Sequence, residues 1–117
     1  MFSPKNRFRV RLEKIQHLTP RQPTGRLYPV GYEHEGYIWT EEPDLTHYLL
    51  GRKGVGPVVV LAAKTPGGTG TGAEGAAFRT SMVEDVSRVR AGVYHVRTPN
   101  SVWQVVELPE IDPVEAV

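Results

Sequence analysis

Arg7-Phe8-Arg9-Val10-Arg11-Leu12 alternates a basic with an apolar residue at every step, which is the period of a half-buried β-strand. Side chains two apart on a strand share a face. Phe8, Val10 and Leu12 are therefore expected to point into a core, with Arg7, Arg9 and Arg11 on the other side. At strand rise the three guanidinium groups repeat about every 6.8 Å, which roughly matches the spacing of successive phosphates. Lys5 extends the basic stretch toward the start of the chain. The strand is thus a candidate core element and a candidate binding surface at once.

Outward from this strand, charge is unevenly distributed. The chain carries 14 basic and 13 acidic residues for a net charge of +1. Lys5, Arg7, Arg9, Arg11, Lys14, Arg21 and Arg26 nevertheless stand against Glu13 alone in the first 26 positions, and the remainder is acidic. Such segregation marks either a basic arm for an anionic partner or two segments that neutralise each other within one fold. The end of the chain, with Glu107, Glu110, Asp112 and Glu115, is a candidate for that internal neutralisation. At 117 residues one domain is the default, large enough to bury a core without cross-links. No cysteine is present, which excludes disulfides, thiolate metal ligands and a cysteine nucleophile. Met1 to Asn6 has no apolar run after its basic residue, so it does not read as a secretory signal. The longest apolar run, Val58 to Ala63, is too short to cross a bilayer. A soluble cytoplasmic protein is the expectation.

Further along, Pro20, Pro23 and Gly25 mark a connecting loop. Leu27–Tyr32 and Tyr37–Trp39 favour strands, and Gly36 in the intervening Glu33-His34-Glu35-Gly36 predicts a hairpin turn. Thr40 is a candidate N-cap for a short helix. Glu41, Glu42 and Asp44 would lie near its positive end, Pro43 in its first turn, Leu45, Tyr48 and Leu49 on its apolar stripe, and Gly51 at its stop. Val58–Ala63 predicts a strand buried on both faces. Phe78 to Arg90 fits helix and strand equally. Val93–Arg97 and Val102–Val106 flank a Pro99-Asn100 turn. A two-residue loop there would set Val96 opposite Trp103 and Tyr94 opposite Val105, making all four core residues.

Within this last segment, Thr80-Ser81-Met82-Val83, Gly92-Val93-Tyr94 and Thr98-Pro99-Asn100-Ser101-Val102-Trp103 resemble a hairpin pattern of small plasmid- and phage-encoded accessory proteins. The resemblance implies origin rather than activity. A nucleic-acid enzyme of the host would then be a natural partner.

Motifs for catalysis are weak. Gly70-Thr71-Gly72-Ala73-Glu74-Gly75 matches G-x-G-x-x-G, but Lys64 to Thr69 separates it from the preceding strand, and no acidic residue follows about twenty positions on. Gly67 and Gly72 have phosphate-loop spacing, yet Ala73 and Glu74 stand where Lys and Ser or Thr are needed. Glu33 and Glu35 on a strand would face away from His34, which argues against a shared metal ion with His47. Neither Ser81 nor Ser101 lies in a nucleophile elbow for His95, and the adjacent Glu84 and Asp85 would diverge.

The expected fold is α+β and β-rich, a small antiparallel sheet or partly open barrel with one short helix. It forms a single domain over 1–117, with a flexible Gly-rich loop at about 65–75 and a frayed acidic tail at about 109–117. The expected activity is binding without metal, cofactor or membrane. A protein partner would be held by Lys5, Arg7, Arg9 and Arg11 as charge anchors and by Trp39 as an exposed aromatic contact. Nucleic acid held on the same arginines, with Tyr28, Tyr32, Tyr37 and Trp39 as stacking surfaces, is the competing expectation. A phosphate- or nucleotide-binding enzyme using Gly70, Gly72 and Gly75 is the third.

Overall fold

A computed structural model describes residues 6–18, 28–62 and 77–109. Their elements, in chain order, are β1 (Asn6–His17), β2 (Glu33–Thr40), α1 (Leu45–Arg52), β3 (Val59–Ala62), β4 (Ala77–Arg79), β5 (Asp85–Arg90), β6 (Val93–Arg97) and β7 (Ser101–Glu107). The strands make one sheet in the order β4-β3-β2-β1-β7-β6-β5, and every pairing is antiparallel. The arginine-bearing strand is the centre of this sheet. Its alternation holds: Val10 and Leu12 are fully buried and Phe8 packs on the core, while Arg7 is exposed.

The sheet must curl, because its two edge strands are neighbours in sequence. Seven flat strands would set β4 and β5 about 29 Å apart. Six residue steps separate Arg79 from Asp85, and they span at most about 21 Å. Aromatic contacts give the same result. Phe78 of β4 lies 5.3 Å, ring centre to ring centre, from Trp103 of β7, although four strand spacings, about 19 Å, would separate those strands in a flat sheet. The concave side gathers Val10, Leu12, Ile38, Val60, Phe78, Tyr94, Val96, Trp103 and Val105 into one core. The sheet does not close into a barrel. Residues 80–84 tie its edges instead: Thr80 N–H donates to the Val58 carbonyl, Val83 N–H to Gly56, and Glu84 N–H to Arg97.

Helix α1 packs into this concavity through Leu45 and Leu49, both buried, with Tyr48 half-buried. Thr46 Oγ1 and the Tyr94 hydroxyl, 2.6 Å apart, fasten it to β6. The cap is Asp44 rather than Thr40: the Asp44 carboxylate accepts the His47 N–H at 2.8 Å. Thr40 Oγ1 accepts the Glu42 N–H instead, so Glu41 and Glu42 precede the helix. Gly51 does not end the helix, which runs on to Arg52.

The expected hairpin around Gly36 is replaced by the continuous strand β2. Gly36 sits mid-strand opposite Val10 on one side and Ala62 on the other. A Cβ at this position would overlap the Leu61 carbonyl, so the glycine serves close strand approach rather than a turn. The turn falls earlier, where Tyr32 N–H donates to the Pro29 carbonyl, and residues 28–32 are not strand. Val58 and Val60 are buried but Val59 and Leu61 only half-buried, so β3 is covered fully on one face alone. Phe78 to Arg90 divides into β4, the tie and β5. The last hairpin has the register read from its sequence, with Val96 opposite Trp103 and Tyr94 opposite Val105, and all four are buried.

Candidate binding face

The convex side of the sheet carries the odd-numbered residues of β1 and β2. Register sets Arg7 opposite Trp39, Arg9 opposite Tyr37, Arg11 opposite Glu35 and Glu13 opposite Glu33. The three arginines therefore share one face, as alternation dictates, but they are not equivalent. Arg7 is exposed, with its guanidinium carbon 4.6 Å from the Tyr37 ring centre and 5.5 Å from that of Trp39. Arg9 donates from Nη2 to Glu35 Oε2 at 2.8 Å and from Nη1 to the Pro109 carbonyl at 3.4 Å. Arg11 is half-buried and its Nε is enclosed without a hydrogen-bond partner; its stem runs between Glu35 of β2 and Val106 of β7.

The face is consequently graded along the strands. One end holds Glu13 and Glu33, and the other holds Arg7, Tyr37 and Trp39. Trp39 keeps 45 % of its surface exposed, which is high for so large an apolar ring. Cation–π contact with Arg7, worth about 0.5–1 kcal/mol at an exposed site, holds the aromatic pair in place. A uniformly basic strip for a polyanion is not what the sheet presents, since Glu35 engages Arg9 and carboxylates occupy the far end.

Tyr37 is named by the sequence only as a stacking residue; its place in this cluster, against Arg7, is what the sequence concealed. Its signal, Glu33, Glu35, Tyr37 and Trp39 at every second position, was interrupted by reading Gly36 as a turn. Tyr28 and Tyr32 are not on this face; both pack on the core, against Phe78 at ring-centre distances of 5.1 and 5.6 Å. Lys5 and the loop glycines Gly70, Gly72 and Gly75 lie outside the described residues, as do residues 110–117 of the acidic tail.

Lys14 and His34 lie on the concave side. Lys14 continues the inward parity of Val10 and Leu12 and is buried, its Nζ donating to the Tyr28 carbonyl at 2.6 Å with His17 Nδ1 at 3.4 Å. Desolvation lowers its pKa from the ordinary 10.5. His34 is buried and stacked on Phe78 at 5.3 Å. Neither of its ring nitrogens makes a well-formed hydrogen bond. Burial lowers its pKa, and the Val60 backbone opposes this weakly. Glu33 and Glu35 are exposed on the opposite face from His34, so these three do not converge. Among the described residues no three His, Asp or Glu side chains could hold one metal ion, and no helix is long and apolar enough to cross a membrane. Comparison with protein-family models, curated proteins and solved structures gives no match.

Proposed function

We propose that the chain is a small accessory protein that acts by binding, docking on another protein through the Arg7–Tyr37–Trp39 end of its convex sheet face. The observation that carries this reading is the half-exposed Trp39, held against Arg7 beside Tyr37 on a regular strand pair. Aromatic and arginine side chains of this kind supply the anchors of protein interfaces, combining large apolar area with directed polar groups. Mixed charge across the rest of the face suits a polar rim. The resemblance of Thr80–Val83, Gly92–Tyr94 and Thr98–Trp103 to plasmid and phage accessory proteins favours a nucleic-acid-processing enzyme as the partner class.

Direct nucleic-acid binding is the second reading, favoured by three arginines on one face. Against it stand the Arg9–Glu35 pair and the carboxylates of Glu13 and Glu33 further along the face. A photo-crosslinking residue at position 37, activated in nuclease-treated lysate of the source cells, tests the first reading. A discrete crosslinked protein that disappears in the Arg7→Glu/Trp39→Ala variant is the expected result; no crosslinked protein, or one indifferent to the variant, rejects docking. Fluorescence anisotropy with labelled oligonucleotides tests the second. Affinity falling steeply with salt and lost in the Arg7/Arg9/Arg11→Ala variant would transfer the function to nucleic acid.

A further inference from the structure

β2 and β3 part company beyond Tyr37. Their pairing comprises Gly36–Ala62 and Tyr37–Leu61 only, although continuing the register would bring Trp39 to Val59. Tyr48 of α1 enters the fork, its hydroxyl accepting the Val59 N–H at 3.2 Å. A cleft of about 560 Å³ remains there, walled by Trp39 and Tyr48, with Arg52, Gly51 and Val59 on its lining and Glu41 and Glu42 around it. This volume lies within the range of small-ligand pockets.

Two features of the lining bear on what the cleft could hold. Arg52 lies over the Tyr48 ring at 5.6 Å, and among the described residues it has no carboxylate or other side-chain acceptor; its Nε is enclosed and unpaired. A guanidinium held on an aromatic ring without a counter-charge is prepared for a planar anion. Gly51 is the second. It is the next-to-last residue of α1 and lines the cleft. Its φ is not positive and a Cβ would meet nothing within 4 Å, so neither backbone nor packing requires it. With no side chain, Gly51 contributes only backbone to the cleft wall, and that part of the cleft is open.

We propose that the fork between β2 and β3 is a binding site for a single carboxylate carried on a flat apolar body. The carboxylate pairs with the Arg52 guanidinium and the apolar body lies against Trp39 and Tyr48. Glu41 and Glu42 decide the charge class, because their carboxylates oppose a dianionic phosphate or a polyanion more strongly than a single negative charge. A free aromatic acid and the C-terminal carboxylate of a peptide share this chemistry.

The experiment titrates the full chain, followed by two-dimensional NMR, with N-acetylphenylalanine, its neutral amide, inorganic phosphate and a tetrapeptide ending in phenylalanine. The acid is expected to shift the Trp39 indole, Gly51 and Arg52 signals. Its affinity should fall roughly ten- to hundredfold in the amide and in Arg52→Gln, the worth of a hydrogen bond to a charged group. Gly51→Leu should abolish the shifts while preserving the spectrum elsewhere. A tetrapeptide tighter than the free acid identifies a chain terminus as the source, and equal affinity identifies a small acid; both support the site. If Arg52→Gln does not fold, Arg52→Lys serves, because it keeps the charge, loses the planar fork and should still lose about tenfold. Equal binding of acid and amide, tighter binding of phosphate, or shifts that map away from the fork overturn the proposal. Because the probes require no partner protein, a negative result leaves the docking reading intact, and the reverse also holds.

Discussion

Phe78→Ala tests whether the curl of the sheet is what holds this fold together. Phe78 belongs to a three-residue edge strand, and at the edge of a flat sheet such a residue would be worth little. The structure instead makes it 7 % exposed and surrounds it with Tyr28, Tyr32, His34 and Trp103 at ring-centre distances of 5.1 to 5.6 Å. An aromatic ring buries roughly 200 Å², worth up to about 5 kcal/mol at about 25 cal/mol per Å². Alanine retains a small part of this and leaves a cavity, so the expected loss is about 3–5 kcal/mol. Chain compaction in the unfolded state trims such sums, which sets the expected loss toward the lower end of this range. At about 4 °C per kcal/mol for a domain of this size, Tm should fall by at least about 12 °C. Urea unfolding followed by far-UV circular dichroism measures the free energy, and near-UV signals report Trp103. Phe78→Leu, which keeps most of the apolar volume, should cost less than about 1.5 kcal/mol. A loss below about 1 kcal/mol for the alanine variant would refute the contact between β4 and β7, and with it the curled sheet.

Gly36→Ala should destabilise by about 1–3 kcal/mol, because the added methyl overlaps the Leu61 backbone and the strands must separate; an unchanged urea midpoint would contradict the close approach of β2 and β3. Asp44 and His47 give the helix start a pH signature. The His47 N–H and ring lower the Asp44 pKa from 3.8, and the Asp44 carboxylate raises that of His47 from 6.5. The Asp44 contribution is present above 3.8 and is lost as pH falls through the folded carboxyl pKa. That of His47 is present below 6.5 and is lost as pH rises through the folded imidazole pKa. Stability from the pair should thus be greatest between those values, and Asp44→Ala should flatten the profile in equilibrium melts. Lys14 acts in the opposite sense at high pH. With its folded pKa below 10.5, the unfolded chain binds more protons between the two values and stability rises with pH there; comparison with Lys14→Met at pH 8 and pH 10 should show the rise in the parent alone.

Elements whose instructions are local were legible in advance. The β6–β7 register follows from a two-residue turn at Pro99-Asn100 and β-branched or aromatic residues at matching parity. The inward and outward sides of β1 follow from alternation, whereas Lys14, read only as part of the basic stretch, is shown by its burial to share the inward parity. Misreadings arose where a residue has two local uses and a distant group chooses between them. Gly36 suits a turn or a close strand approach, and the Leu61 carbonyl chooses. Thr40 and Asp44 both suit an N-cap, and packing of Leu45 and Leu49 into the concavity sets where the helix begins. The candidate face shows the same division: Arg7, Arg9, Arg11 and Trp39 were readable as one surface, whereas the Arg9–Glu35 pair and the Arg7–Tyr37 contact depend on cross-strand register.

By itself, then, the amino-acid order determined a β-rich antiparallel architecture, the parity of its central strand and the pairing of its last hairpin, since each rests on neighbours within a few residues. Tertiary structure alone decided that the sheet curls until Phe78 reaches Trp103, that Arg9 of the arginine row pairs with Glu35, and that β2 and β3 separate around Tyr48. Those outcomes come from groups far apart in the chain competing for the same space, and no local periodicity encodes which of them wins.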